Sequence, residues 1–468
     1  MASFREKIGY GFGDMASSMF WKVFSAYLPF FYAEVFGLPL ALASILFLVT
    51  KFWDAISDPL MGILADRTQT RWGKYRPWLL FMSIPFALCG ILLFTTPDCG
   101  ETGKAIWAFF TYILMMTIYT GINVPYGSML GVMTEDSTEK TIFSSYRMFF
   151  AYIGSFIILW AWEPMVKFFN SQLGATSIYP GLPAAWQYAM IVTAVVCLVL
   201  FLLTFLFTKE RVKSKPSVHA IHDLAMLFIN GPWWIMLGAI LFFNFMNAAR
   251  YTTIPFYFNS VIGNDVSLTI IGIVIAFSST IFFLIGEVAN LPGVAMATPL
   301  SVRFGKKSVF VWSLILLIPL NIAFFFVPNS TEGYIAMLVL QVFVCILTGI
   351  LSPLSWSMYA DISDYAEHHF KSASTGLIFS SSSMAQKFGG AFGSSAVLWL
   401  LSIFQYQQGK DSIQTPETIY GIRLLMSWLP AAMCVASLLF IAIYPLTTKR
   451  MKIITEELST QRAAQSEA

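Results

Sequence analysis

Stretches of about 20 mostly apolar residues, long enough to cross the hydrocarbon of a bilayer, recur along this chain and constrain it more than any motif does. Twelve are present, near 15–36, 39–64, 77–96, 105–132, 143–168, 185–208, 232–260, 267–299, 308–328, 333–359, 373–404 and 418–445. In hydrocarbon each backbone amide must be bonded internally, so every such stretch is expected to be a helix. The expected fold class is therefore an all-α membrane protein with 12 transmembrane helices.

Charge supports the same reading. Only 11% of the 468 residues are charged, against about 25% in soluble domains, which argues against a water-soluble globular enzyme. The 28 basic and 25 acidic side chains nearly cancel, so nucleic acid is not an expected partner. Cysteines at 89, 99, 197, 345 and 434 lack the spacing of a metal site or a disulfide scaffold. No cleavage site follows the N-terminus, and the first span is expected to remain in the mature protein. With both termini in the cytoplasm, 19 of the 28 Lys and Arg fall in inside loops and tails, and this bias sets the orientation.

The longest polar inside loop separates spans 6 and 7. It divides the chain into an N-terminal six-helix bundle (1–208), a middle loop (209–231), a C-terminal six-helix bundle (232–445) and a tail (446–468). The loop after span 2 contains Trp72-Gly73-Lys74 and the loop after span 8 contains Phe304-Gly305-Lys306. The acidic loop after span 4, with Glu135, Asp136 and Glu139, likewise has a counterpart after span 10 in Asp361, Asp364 and Glu367. Two pseudo-symmetric six-helix bundles around a midplane site describe a secondary transporter with the major facilitator fold, working by alternating access.

A charge near the bilayer centre costs at least ~2.5 to 3.5 kcal/mol, so each one marks a candidate site. In span 2, Asp54 and Asp58 are one turn apart on one helical face. Two such carboxylates repel, and a proton or a bound cation relieves the repulsion. Oxygen ligands suit Na⁺, Li⁺ or H⁺, and Ser57 is close enough in sequence to join them. The competing reading is a packing salt bridge to Lys51 or to another helix. Span 4 places Tyr119, Asn123 and Pro125 deep in an apolar run, as a cavity wall or a kink would. Arg147 in span 5 and Lys387 in span 11 are either donors to a sugar or partners of buried acids. Span 1 carries Asp14, Ser18 and Lys22 on one stripe, where Lys22 either selects an anionic substrate or forms a structural ion pair. Arg250 with Asn244 and Asn247, and Glu287 with Asn290, are weaker patches, as consistent with packing as with a site. The four histidines are expected to be solvated loop residues.

Five stretches in order, Tyr10-Gly-Phe-Gly-Asp14, Trp53-Asp54-Ala-Ile-Ser-Asp58-Pro, Arg71-Trp-Gly-Lys-Tyr-Arg-Pro77, Asn123-Val-Pro-Tyr-Gly127 and Asp361-Ile-Ser-Asp364-Tyr365, give the chain its resemblance to the glycoside-pentoside-hexuronide:cation symporters. This is the branch of the major facilitator superfamily that contains the melibiose carrier. The resemblance implies that Asp54 and Asp58 bind the coupling cation with help from Thr120, although the family's intervening Asn is Ser57 here. It implies that the sugar meets span 1, span 4 and span 5 at Ser18, Asn123 and Arg147, where the family has two acids and an arginine. Tyr119, Trp356, Ser383, Lys387 and Lys22 complete the expected substrate contacts. It also implies a cytoplasmic gate between Arg71, Lys74 and Arg76 on one side and Asp361, Asp364 and Glu367 on the other.

The expected function is thus symport of a sugar or glycoside (a pentoside, another glycoside or a hexuronide) with Na⁺, Li⁺ or H⁺, in a bacterial inner membrane. The partners are the sugar, the coupling cation and the bilayer, and the carrier is expected to be a monomer without a cofactor. The alternatives are a lysolipid carrier of the same fold and a transport-inactive sugar sensor, for which the tail is short. No nucleophile-base pair, metal cluster or phosphate loop supports a membrane enzyme.

Overall fold

The computed structural model describes residues 3–134, 137–174, 181–211, 228–263, 266–270, 273–370, 375–409, 414–454 and 456–457. Among them the chain forms twelve helical rods. The first is α1 (Phe4–Ala26), prolonged by Leu28–Phe30 and a π-helical turn, Phe31–Val35. There follow α2 (Leu40–Arg67), α3 (Arg76–Leu93), α4 (Glu101–Met133), α5 (Ser137–Gln172) and α6 (Pro183–Phe207). Beyond the middle loop come α7 (Gly231–Tyr257), α8 (Ser279–Phe304), α9 (Lys306–Ala323), α10 (Thr331–Phe370) and α11 (Thr375–Ile403). The last rod consists of α12 (Pro416–Met426) and α13 (Trp428–Ala442). Ten rods are long and apolar enough to cross a membrane, and α1 and α11 complete the expected twelve.

Local sequence explains where the rods start and stop. Pro77, Pro183 and Pro232 occupy first turns, where no N–H is needed. Ser3 caps α1 by accepting from the Glu6 amide, and Asn230 caps α7 by accepting from the Trp233 amide. The final rod breaks at Ser427 because Pro430, in the first turn of α13, cannot donate to the carbonyl four residues back and crowds it.

One boundary departs from the sequence reading. A helix was expected from 267, but Ser267–Ile270 (β1) and Ile273–Ala276 (β2) pair antiparallel, Ser267 opposite Ala276 and Ile270 opposite Ile273. Ile270, Ile273, Val274 and Ile275 are β-branched, and such residues favour a pleated ribbon over a helical turn. The helix starts only at Ser279.

The faces of α2 show how the rods sort their side chains. Phe52, Ile56, Leu60 and Leu64 recur every four residues and are exposed, while Asp54, Ser57, Met61 and Ala65 are buried. Bulky apolar groups outside, with the charged Asp54 turned inside, is the arrangement expected of a helix solvated by lipid.

The chain packs as two compact units, Met1–Pro216 with Ser279–Leu284 and Leu398–Thr418, and Ser217–Ser278 with Ile285–Val397 and Ile419–Ala468. In the first, α1 lies against α5 and α6, α3 against α4 and α6, and α2 against α4. An aromatic core of Tyr27, Phe31, Phe94, Trp162 and Trp186 fills its far end, where the Ser279 hydroxyl donates to Glu163. In the second, α13 packs against α7 and α9, and α9 against α10.

The aromatic-Gly-Lys repeat has a common cause in the two units. Gly73 and Gly305 both have positive φ, 116° and 87°, a conformation that costs other residues about 1 to 2 kcal/mol. Each leads into the third helix of its half. A Cβ on Gly73 would lie 2.6 Å from the Glu210 carboxyl carbon, and one on Gly305 would lie 2.6 Å from the Thr448 Oγ1. Glu210 lies beyond the end of α6 and Thr448 beyond the end of α13, so in each half a residue past the last spanning helix closes over the corresponding glycine. The Glu210 carboxylate accepts from the amides of Lys74 (2.7 Å), Tyr75 (2.7 Å) and Arg76 (2.8 Å). It thereby caps the start of α3, where unsatisfied N–H groups and the helix dipole favour an anion.

Candidate functional site

The first unit gathers its polar side chains at one depth. Asp14 and Arg147 lie ten residues beyond the first residues of α1 and α5, Asn123 ten before the last residue of α4, and Asp58 nine before the last residue of α2. At a rise of about 1.5 Å per residue this is ~13 to 15 Å along the helices from one side of the unit. Asp54 and Thr120 are each thirteen residues in, about 20 Å.

Within this layer one carboxylate of α2 meets a hydroxyl from α4. Asp54 is buried and Asp58 half-buried, and Thr120 Oγ1 donates to Asp58 Oδ1 at 2.7 Å. Ser57, the other residue expected here, is buried on α2 as well. Its hydroxyl turns back to the carbonyl of Asp54, 3.4 Å away, because a serine inside a helix readily bonds its own backbone. The side chain of Lys51, the competing partner, lies outside the described residues. Two carboxylates and one hydroxyl, all oxygen donors, suit a hard cation or a proton.

Arg147 has an acidic partner that sequence spacing did not reveal as such. Its Nε donates to Asp14 Oδ2 at 2.7 Å, and its guanidinium lies 5.1 Å from the centre of the Tyr126 ring. Tyr126 stacks on Tyr10 at 4.8 Å and donates its hydroxyl to the Tyr10 carbonyl at 2.6 Å, fastening α4 to α1. Asn123 is tied to α1 by Ser17, whose hydroxyl donates to Asn123 Oδ1 at 2.8 Å. Ser17 was not among the sequence candidates. Tyr119 belongs to an aromatic wall with Phe20, Trp21 and Phe86.

Ser18 and Lys22 are half-buried on α1. Lys22 is two turns beyond Asp14, about 12 Å along the axis, so α1 holds it well away from the level of Arg147. In the second unit, half-buried Lys387 lies twelve residues into α11, and half-buried Trp356 lies fourteen before the end of α10. These are depths of about 18 and 21 Å. Ser383, one turn before Lys387, is exposed. The weaker patch at Arg250 is a packing network. Its guanidinium donates to Asn321 Oδ1 and Gln341 Oε1, each at 2.6 Å, and Asn244 and Asn247 bond their own helix. Tyr251 donates to Glu287 at 2.9 Å.

Of the expected gate residues, Arg71, Lys74, Arg76 and Asp361 have partners inside their own units. Arg76 donates to the carbonyls of Trp72 and Phe205, Arg71 lies over Trp72, and Lys74 lies over Tyr75. Asp361 pairs with Lys306 at 2.7 Å, while Asp364 and Glu367 are half-buried on α10. His368, expected to be solvated, pairs with Glu457 at 2.6 Å. His369 stacks on Tyr365. Residues 135–136, 212–227 and 371–374, which include Glu135, Asp136, His219 and His222, lie outside the described residues, as does the side chain of Glu139.

Known proteins resemble this chain in sequence and in fold. Residues 9–448 match the family model described as MFS/sugar transport protein. The inner membrane symporter YicJ of Escherichia coli (strain K12) is 33% identical over 460 residues, covering 98% of this chain and 95% of YicJ. The isoprimeverose transporter of Lactiplantibacillus pentosus is 30% identical over 440 residues, covering 92% of this chain and 86% of that one. The crystal structure of the nucleoside transporter NupG shares the major facilitator fold, with a TM-score of 0.66 at 14% identity over 94% of this chain and 99% of NupG.

Proposed function

Because the chain belongs to the MFS/sugar transport protein family, we propose that it is a secondary active transporter that carries a sugar or glycoside together with a cation held by Asp54, Asp58 and Thr120. The observation that carries this reading is the 2.7 Å contact of Thr120 with Asp58, one turn from buried Asp54 and near the depth of Asp14, Asn123 and Arg147. A cation between the carboxylates removes their repulsion. That change is felt along α2 and α4, and α4 also carries Asn123. Asp14 accepts and Arg147 donates hydrogen bonds, which together match the mixed donor and acceptor character of sugar hydroxyls. The relative named for isoprimeverose supports a glycoside as the sugar.

Alternating access then follows if the empty carrier and the carrier loaded with both ligands isomerise readily while the carrier with one ligand does not. Na⁺, Li⁺ and H⁺ are all compatible with the oxygen donors. The distribution of Lys and Arg supports cytoplasmic termini, and the relative named an inner membrane symporter supports that membrane.

The test is uptake into proteoliposomes of neutral glycosides, pentosides and hexuronides under imposed Na⁺, Li⁺ or H⁺ gradients. Accumulation of one sugar class driven by one ion supports the proposal. Folded protein that moves no sugar under any gradient overturns it.

A further inference from the structure

We infer that Ser17 is the positioning residue that links the cation site to the sugar site, by holding the Asn123 amide in one orientation. This rests on the symport reading above and names the contact through which coupling passes. Ser17 is 4% exposed on α1. Its Oγ is 2.8 Å from Asn123 Oδ1 and 3.0 Å from the Gly13 carbonyl, and Asn123 Nδ2 donates to the Tyr119 carbonyl at 3.2 Å.

These contacts permit one assignment of the amide. Flipping Asn123 would place its Oδ1 against the Tyr119 carbonyl, acceptor against acceptor, so Nδ2 must face Tyr119 and Oδ1 must face Ser17. The single hydroxyl proton of Ser17 then serves Oδ1 over the shorter of its two contacts. Asn123 is half-buried, and its second amide proton has no acceptor among the described residues. The residue therefore offers a ligand a donor, and that donor's direction is set by Ser17.

The same helix joins this contact to the cation. Thr120 and Asn123 are three residues apart, on neighbouring positions of one face of α4. Thr120 bonds Asp58 of α2 and Asn123 bonds Ser17 of α1. A shift of α4 that accompanies filling of the Asp54 and Asp58 site changes the distance from Asn123 to Ser17, and with it the aim of the free amide proton. Three helices are thus connected through two side-chain hydrogen bonds separated by less than one turn.

The test compares sugar affinity with and without the coupling cation in purified full-length protein, using the sugar and ion found by the uptake panel. In the wild type the cation should tighten sugar binding by a factor within the common range of about 5 to 150, and the sugar should tighten cation binding equally. In Ser17→Ala this factor should fall to near 1 while cation affinity in the absence of sugar is unchanged. Ser17→Thr, which keeps a hydroxyl, should restore it, and Ser17→Ala/Asn123→Ala should be no less coupled than Asn123→Ala alone.

An unchanged factor in Ser17→Ala overturns the inference. So does an equal loss of both affinities with the factor preserved, which is the result of a merely structural role. If Ser17→Ala does not fold, Ser17→Cys is measured instead, as its thiol has similar size but donates weakly, and an unchanged factor there is equally fatal. A wild type whose sugar binding ignores every cation removes the symport reading and this inference with it. A coupled wild type alongside an equally coupled variant removes this inference alone.

Discussion

Thr120 on α4 donates its hydroxyl to Asp58 on α2 across 2.7 Å. The two residues are 62 positions apart in sequence and come from helices that pack directly against each other. Hydrogen bonds to charged groups contribute about 1.5 to 3 kcal/mol. Thr120→Val keeps the shape and removes the donor, so cation affinity should fall by roughly 10- to 100-fold. The check is the ion concentration giving half-maximal uptake, and an unaltered value would remove Thr120 from the cation site.

Asp58→Asn should abolish ion-driven accumulation while leaving sugar exchange down its own gradient measurable. The amide cannot carry the negative charge that attracts the cation, but it preserves the size of the side chain. Concentrative uptake by this variant would place the coupling ion elsewhere.

The ion pair of Asp14 and Arg147 should behave as a unit. Replacing only one partner leaves the other charge poorly compensated in low dielectric. Arg147 is 31% and Asp14 14% exposed at the side chain, so part of the cost is relieved by solvent. Asp14→Asn or Arg147→Gln alone should lower stability by about 1 to 3 kcal/mol, and the double variant by less than the two losses added. Thermal unfolding in detergent measures all three, and strict additivity would show that the charges do not interact.

Glu210→Ala should loosen the start of α3. Three backbone amides lose their acceptor, and losing an N-cap typically costs about 0.5 to 2 kcal/mol. Gly73→Ala should also destabilise, since it combines positive φ with a collision against the same carboxylate. The double change should cost less than the two losses added, because removing the carboxylate makes room for the methyl group. Melting temperatures of the three variants decide this.

Apolar runs made the rods legible, and the price of a buried charge marked the polar layer of the first unit. Asp54, Asp58 and Arg147 stood out because few residue types are as costly in hydrocarbon. Partners were harder to see. Asp14 and Arg147 were both noticed, but nothing in their spacing says that residues 133 positions apart share a hydrogen bond. Ser17 gave no signal, because a serine in a helix can bond its own backbone, as Ser57 does. The stretch at 267–276 misled for a related reason. Apolar β-branched residues satisfy a hydropathy window whether they form a helix or a hairpin, and here they pair as strands.

The two glycine closures have a consequence for how the chain can be assembled. Gly73 and Glu210 both lie before residue 212, and Gly305 and Thr448 both lie after residue 227. A chain severed between residues 212 and 227 would therefore keep each glycine on the same fragment as the residue that covers it. Each fragment would carry its own glycine closure, and the first unit would then be completed across the cut by contacts such as the bond of Ser279 to Glu163.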